Sequence, residues 1–158
     1  MIQVENNFLN NDTFFSIQKT ISGNDFTWTL LENSPIYLVH PLILEQGKYV
    51  SNFTKDVLSD CLKILKPDVV LESNVRLFTK DAKQKEYMHP SSFLKEKKYK
   101  TFILSFNSTD GYLEITGLKK INSQENQAMM FDYIGNFVQT NPTDRPVRII
   151  IEIFYQKS

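Results

Sequence analysis

The sequence predicts an α+β domain that is mainly β, in which two helices cover one face of a sandwich of antiparallel strands, as in jelly-roll barrels. Two segments between residues 10 and 67 place apolar residues at helical spacing. Residues 99–115 alternate apolar and polar side chains with the period of a strand, and residues 147–155 are apolar almost throughout, as in a central strand. The pattern therefore favours helices early in the chain and strands through most of the rest.

Length and charge limit the classes of protein to consider. The 158 residues fit one domain, 1–158. Lysine plus arginine and aspartate plus glutamate number 18 each, so net charge provides no field that attracts nucleic acid or an anionic membrane. No run approaches the roughly 18–20 apolar residues of a membrane span, and residues 1–5 do not resemble a signal peptide. We expect a cytoplasmic protein that binds neither membrane nor nucleic acid, with its one cysteine, Cys61, buried and structural.

Both predicted helices have start and stop signals. Residues 10–12, Asn-Asn-Asp, can cap the first helix, which ends at residues 22–24. Ser51 or Asn52 is predicted to cap the second helix, which extends from Phe53 to Leu65 and is limited by Pro67. Its apolar stripe, which should pack on a sheet, consists of Val57, Leu58, Cys61, Leu62 and Leu65.

The predicted strands begin between the helices, at residues 26–30 and 36–40, and Pro41 should end or bulge the second of these. Residues 69–78 form the next strand, and the polar residues 79–86 a solvated loop. Residues 99–115 are predicted to be a β-hairpin, because two strand patterns flank the turn-forming segment Asn107–Gly111. Residues 128–131 and 147–155 supply the last strands.

A series of short motifs extends from about Phe8 to Tyr155. In chain order they are Phe26–Trp28, His40, Leu58–Leu65 with Pro67, Lys100 and Thr101, Asn107, Gly111 and Tyr112, Glu125 and Asn126, Phe131 and Asp132, Asp144, and Arg148 before residues 149–155. With these motifs the chain resembles the small 2-oxoglutarate and Fe(II)-dependent oxygenases, specifically the prolyl-4-hydroxylase-like proteins of marine bacteria and their phages. The resemblance implies a double-stranded β-helix (jelly-roll) core with N-terminal helices packed on the major sheet.

The resemblance also implies where an iron site would lie. Such enzymes hold Fe(II) with a His-x-Asp pair and a distal histidine, and an arginine about ten residues later binds 2-oxoglutarate. The first pair falls on His89 and Ser91, or on Pro90 and Ser92 in the other register. The distal position falls on Phe137, or on Asn136 if the register slips by one. The carboxylate and the distal imidazole are therefore both missing, and we expect neither a bound metal nor a catalytic residue.

Two site residues keep alternative interpretations. Arg148 matches the cosubstrate-binding arginine, and it can instead be a strand-end arginine that reaches solvent beside Asp144 or Glu152. His89 is a weak candidate for a surviving metal ligand, against a loop histidine that precedes a proline. His40 is expected to be a packed, hydrogen-bonded histidine.

Three classes of function follow. The first is a non-catalytic binding or interaction module that binds a small carboxylate at Arg148 or a protein partner. The second is an active hydroxylase with Fe(II) and 2-oxoglutarate as cofactors, which would need unconventional ligands such as His89 with His40, Asn136 or Asp132. The third is a structural or assembly protein that keeps only the jelly-roll. The resemblance also implies that Asn74, Arg76 and Ser105 line the barrel where such enzymes contact the cosubstrate.

Overall fold

The computed structural model describes residues 1–30, 37–45, 47–88, 98–115, 118–132 and 137–158, with the side chain of residue 88 left out. The elements in these ranges are β1 (Ile2–Asn6), α1 (Asn11–Ile21), β2 (Thr29–Leu30), β3 (Tyr37–Leu44), β4 (Lys48–Tyr49), α2 (Thr54–Leu65), β5 (Val69–Thr79), β6 (Glu86–Met88), β7 (Lys100–Ser105), β8 (Tyr112–Ile115), β9 (Lys119–Asn122), β10 (Gln127–Asp132), β11 (Phe137–Thr140) and β12 (Val147–Gln156). Neither described helix is long and apolar enough to cross a membrane.

The strands form two sheets that face each other. The large sheet has the order β1-β10-β7-β12-β5-β3-β2, with β4 paired to β3, and the small sheet has the order β6-β11-β8-β9. All the pairings are antiparallel. From β5 onward the chain passes repeatedly between the sheets, which is the arrangement of a jelly-roll. The predicted mainly-β jelly-roll fold is confirmed.

The predicted hairpin over residues 99–115 is wrong. Strand β7 lies in the large sheet and β8 in the small one, and the two do not pair. Both edges of β7 are already taken, by β12 and β10, so β8 pairs with β11 and β9 instead. The polar segment after β7 is an arch between the sheets, held by Asn107, whose Nδ2 donates to the Val147 carbonyl and whose Oδ1 accepts from the Ile149 N–H.

Both helices pack on one face of the large sheet, which we call the helix side. Helix α1 has the predicted cap, since Asn10 Oδ1 accepts from the Thr13 N–H at 2.9 Å. Helix α2 buries Val57, Leu58, Cys61 and Leu65, and Leu62 packs partly buried against the same core. The predicted packing of this stripe on a sheet is confirmed.

The predicted cap of α2 is wrong. The N-cap position is Phe53, without a side-chain capping bond. Ser51 Oγ instead accepts from the Phe53 N–H at 3.1 Å and lies 2.7 Å from His40 Nε2. The hydroxyl therefore serves the histidine and the turn before the helix.

The early strands differ from the prediction in extent. Only Thr29–Leu30 of the first predicted strand pairs. The second strand continues through Pro41 to Leu44, with a shift of register between Pro41 and Ile43, which is the predicted bulge.

The opposite face of the large sheet meets the small sheet, and we call the space between them the barrel interior. Side chains alternate along β12, so Ile149, Ile151 and Ile153 point to the helix side. The residues between them point to the interior, where Ile150 and Phe154 join a second buried cluster. Arg148 and Glu152 share that face, which brings two charged groups between the sheets.

Candidate functional site

Arg148 lies in the barrel interior with 0% of its surface exposed. Its Nε donates to Ser123 Oγ at 2.5 Å, Nη1 to the Thr140 carbonyl at 3.0 Å and Nη2 to Gln139 Oε1 at 2.7 Å. The alternative of a strand-end arginine that reaches solvent is therefore wrong. Residues of β11 and of the segment after β9 hold the guanidinium across the barrel from β12.

No carboxylate among the described residues hydrogen-bonds to this guanidinium. Burial lowers the pKa of Arg148 to about 9, and the negative charge of Glu152 opposes that shift. The side chain therefore stays protonated at neutral pH. Three of its five N–H groups have partners, and two have none in the described part of the chain. A buried cation in this condition favours binding of an anion.

Gln139 adds a further unsatisfied donor group beside Arg148. The side chain is 3% exposed, and its Oε1 accepts from Arg148 Nη2. Its Nε2 has no hydrogen-bond partner among the described residues. A buried amide without a partner costs about 1–3 kcal/mol, so an acceptor here would be stabilising. Arg148 and Gln139 thus present donors, without a matching acceptor, at one place in the interior.

Gly111 makes room for the arginine. A Cβ atom on this residue would lie 2.7 Å from Arg148 Cδ and 3.1 Å from the Thr140 carbonyl oxygen. Both distances are shorter than ordinary van der Waals contacts, so a larger residue would push the guanidinium from its position. This explains on physical grounds why a glycine stands immediately before β8.

A second charged pair lies further along the same face. Glu152 accepts a short hydrogen bond from Arg76 Nε, and both side chains are buried. Burial alone would lower the pKa of Arg76, but the charge and hydrogen bond of Glu152 outweigh it, and the pKa is raised. Both groups are therefore charged, and their opposite charges neutralise each other. The hydrogen-bonded partner of Glu152 is thus Arg76, and not Arg148.

Three aromatic rings fill the space beside the two arginines. The ring centroids of Tyr37, Phe78 and Tyr87 lie 5.1–5.6 Å from one another. Arg148 Cζ is 5.3 Å from the Phe78 centroid, and Arg76 Cζ is 5.4 Å from the Tyr37 centroid. Each of the two cations therefore has an aromatic ring beside it, and the three rings give the site an apolar wall.

Phe137 begins β11 in the barrel interior, where the resemblance places the distal histidine. Its ring is 5% exposed and lies 5.4 Å from that of Phe131 and 6.5 Å from that of Phe154, centroid to centroid. An aromatic ring therefore occupies the position that the resemblance gives to the distal imidazole. The other positions of the implied metal motif, His89, Ser91, Ser92 and Asn136, lie outside the described residues.

His40 lies on the helix side. Its ring stacks on Phe26 at 4.0 Å between centroids, its Nδ1 donates to the Thr27 carbonyl at 2.5 Å, and its Nε2 lies 2.7 Å from Ser51 Oγ. Both ring nitrogens are engaged, and the large sheet separates them from Arg148. Asp132 is exposed and paired with Lys100 at 2.6 Å, on the opposite face of β10 from Phe131. Neither residue belongs to the interior site.

These placements decide whether the residues fit the iron centre that the fold implies. The whole chain has two histidines, and because His40 is on the helix side, at most one imidazole can enter the barrel. No cluster of three or more His, Cys, Asp or Glu side chains suited to a metal is found among the described residues. A site with two histidines and one carboxylate does not fit this chain.

The structure places Asn74, Arg76 and Ser105 on the interior face, as predicted, since they pair with inward residues of β12 or β3. Sequence reasoning missed Gln139 and Ser123, which hold Arg148. Gln139 belongs to β11 and Ser123 directly follows β9, and these two strands, of four residues each, are too short to have been predicted. The one available signal is the spacing of Phe137 and Gln139, which puts both on one face of a strand.

No family model matches the chain, and no curated protein is significantly similar to it in sequence. Solved structures match its fold. A prolyl hydroxylase from Trichoplax adhaerens, in complex with a hypoxia inducible factor oxygen degradation domain peptide fragment, is similar at a TM-score of 0.65 and 13% identity, over 98% of this chain and 83% of that one.

Two bacterial structures match in the same way. An oxidoreductase of the 2OG-Fe(II) oxygenase family from Burkholderia pseudomallei has a TM-score of 0.71 at 8% identity, over 98% of this chain and 84% of that one. A prolyl-4-hydroxylase from Pseudomonas putida has a TM-score of 0.65 at 9% identity, over 99% and 92%. The chain therefore has the fold of the 2-oxoglutarate and Fe(II)-dependent oxygenases.

Proposed function

We propose that this protein is a non-catalytic module with the oxygenase fold, which binds a small carboxylate at Arg148. One observation carries the proposal: a fully buried guanidinium hydrogen-bonds to Ser123, Thr140 and Gln139, and to no described carboxylate. Burying a cation without a counter-charge is costly, and an anionic ligand offsets that cost. The folded protein without ligand carries the free-energy cost of the buried Arg148 cation, and binding of the ligand offsets that cost.

Loss of the iron chemistry is the second part of the proposal. Two imidazoles are required on one face of Fe(II), and this chain can bring at most one into the barrel. Phe137 supports the same conclusion, because its ring packs between Phe131 and Phe154 at the place of the second imidazole. The ligand is therefore held and released unchanged.

The test is thermal denaturation of the iron-free protein with acetate, benzoate, succinate, 2-oxoglutarate and citrate in turn. A ligand at about 100 times its Kd should raise the Tm by about 5–10 °C for a chain of this size. The response should be lost in Arg148→Gln and kept in Arg145→Gln, which removes an exposed arginine three positions away. No response to any carboxylate, or an equal response in Arg148→Gln, would overturn the proposal.

A second variant keeps the test decisive if Arg148→Gln does not fold. Gln139→Glu has nearly the same shape and places a carboxylate beside Arg148 Nη2. It should raise the Tm of the ligand-free protein, because a hydrogen bond to a charged group contributes about 1.5–3 kcal/mol, and it should abolish the carboxylate response. Retention of the full response would contradict the assigned site.

The catalytic part is tested separately. With Fe(II), ascorbate and 2-oxoglutarate, we expect no succinate above the level of a protein-free control and no iron retained after gel filtration. Succinate formation that depends on the protein and is lost in His89→Ala would establish the hydroxylase alternative.

A further inference from the structure

The charges and rings around Arg148 also restrict the kind of carboxylate, an inference that rests on the proposed function. The cation has no carboxylate partner among the described residues, because the buried Glu152 is bonded to Arg76. Glu72 also lies on the interior face of β5. Its cross-strand partner is Phe154, near the end of β12 that is far from Arg148. Glu72 lies six positions before Phe78, the cross-strand partner of Arg148, which is about 20 Å along a strand. One negative charge is therefore enough to compensate Arg148.

The surroundings of the unsatisfied donors are aromatic. Phe78 lies against the guanidinium of Arg148, and Tyr87 is the cross-strand neighbour of Gln139. The rings of Tyr87 and Phe78 are 5.6 Å apart, and Tyr37 packs against both. A ligand whose carboxylate meets Arg148 and Gln139 thus has flat hydrocarbon surfaces beside it. Tyr87 is only partly buried, so this group of rings reaches the surface there.

We propose that the ligand is a monocarboxylate with a flat apolar body, such as an aryl carboxylate, with its carboxylate on Arg148 and Gln139 and its body against Phe78, Tyr87 and Tyr37. A second carboxylate on the ligand would have to leave water beside these rings, or approach Glu152, which is already charged. Either position is costly for a dianion. The site therefore selects against 2-oxoglutarate and succinate.

The experiment is isothermal titration calorimetry of the iron-free full chain at about pH 7 with benzoate, phenylacetate, succinate and 2-oxoglutarate. At least one aryl monocarboxylate should bind about ten-fold or more tightly than either dicarboxylate. Benzamide, which has the ring but not the charge, should bind about a hundred-fold more weakly than benzoate. Tyr87→Leu should weaken the aryl ligand about ten-fold and leave acetate unchanged, whereas Arg145→Gln should change neither.

Each opposite result has a defined meaning. If succinate or 2-oxoglutarate binds as tightly as the aryl ligands or more so, the inference is wrong and the proposed carboxylate site stands. If benzamide equals benzoate, the ring alone drives binding and the role of Arg148 is wrong. If no carboxylate binds, the inference and the proposed function both fail.

Discussion

The two faces of the large sheet are built from the same strands but differ in the side chains that they bury. On the helix side, Ile151 and Ile153 pack against Leu58 and Phe102 in a core of apolar side chains. On the interior side, Arg148 and Glu152 alternate with Ile150 and Phe154. Burial of each apolar side chain contributes about 1.5–3 kcal/mol, whereas burial of a charge subtracts unless it is paired. Packing on the helix side therefore stabilises the fold, whereas the buried charges of the interior lower the free energy of unfolding.

This comparison predicts different effects for substitutions on the two faces. Changes on the helix side should alter the free energy of unfolding and leave ligand response intact. Changes in the interior should alter both, because the residues that hold Arg148 also determine what it can bind.

The largest effect is expected for Glu152→Gln. The change removes the carboxylate to which Arg76 donates, and breaking a buried pair in this way costs about 3–5 kcal/mol. Urea denaturation measures the loss. The double variant Arg76→Met with Glu152→Leu should recover most of it, because both charges are then removed together. A loss below about 1 kcal/mol in Glu152→Gln would mean that the pair is solvated.

A helix-side cavity is the matched comparison. Leu58 is fully buried in α2, and Leu58→Ala should cost about 3 kcal/mol of unfolding free energy from lost burial and the cavity left behind. The rise of Tm caused by a carboxylate should be the same as in the unchanged protein. A variant that folds and has lost that response would show that the two faces are coupled.

Gly111→Ala tests the close packing around Arg148. The added methyl group would meet Arg148 Cδ at 2.7 Å, so we expect a loss of about 2 kcal/mol from overpacking. Because the guanidinium must move, carboxylate affinity should also fall. Gly23→Ala, which meets only the Thr20 and Lys19 carbonyls and lies far from the site, is the control for the cost of replacing a glycine. Unchanged affinity in Gly111→Ala would contradict the assigned position of the guanidinium.

The smallest effect concerns Cys61, in the middle of the helix side. Burial, helped by the charge of Asp60, raises the pKa of this thiol to about 12. At pH 8 the thiolate is therefore scarce, and the native protein should not react with iodoacetamide on the time scale of hours, whereas the urea-unfolded protein should react within minutes. Rapid labelling of the native protein, measured by mass spectrometry, would show that the helices open readily.

The difference between the faces also explains what the sequence could predict. Strand β7 has the alternation of a strand, so its two faces follow from the pattern, whereas β12 is apolar almost throughout and its pattern left Arg148 either inward or at the solvent. Strands β6, β9 and β11 have three or four residues each and become strands only by pairing with neighbours. Gln139, which lies in β11, and Ser123, which directly follows β9, were therefore not predicted.

The error at residues 107–111 has a related cause. Asn107, Asp110 and Gly111 carry the signals of a turn, and the same residues serve an arch between two sheets as well as a hairpin within one. Which of the two forms depends on the edges of β7, which are occupied by β10 and β12. Partner residues 22 to 55 positions further along the chain decide that choice, and no local pattern reports it.

The central claim is that Arg148 binds an anion while remaining buried in the barrel. The chain has three arginines, Arg76, Arg145 and Arg148, so the side-chain Nε–H signals in a nitrogen-15 NMR spectrum are few and can be assigned by substitution. On titration with benzoate at about pH 7, the Arg148 signal should shift and saturate, the Arg76 signal should shift less, and that of exposed Arg145 should stay in place. If the protein binds benzoate and the Arg148 signal does not move, the account is contradicted. It is also contradicted if the Arg148 signal does not move because the protein binds no carboxylate.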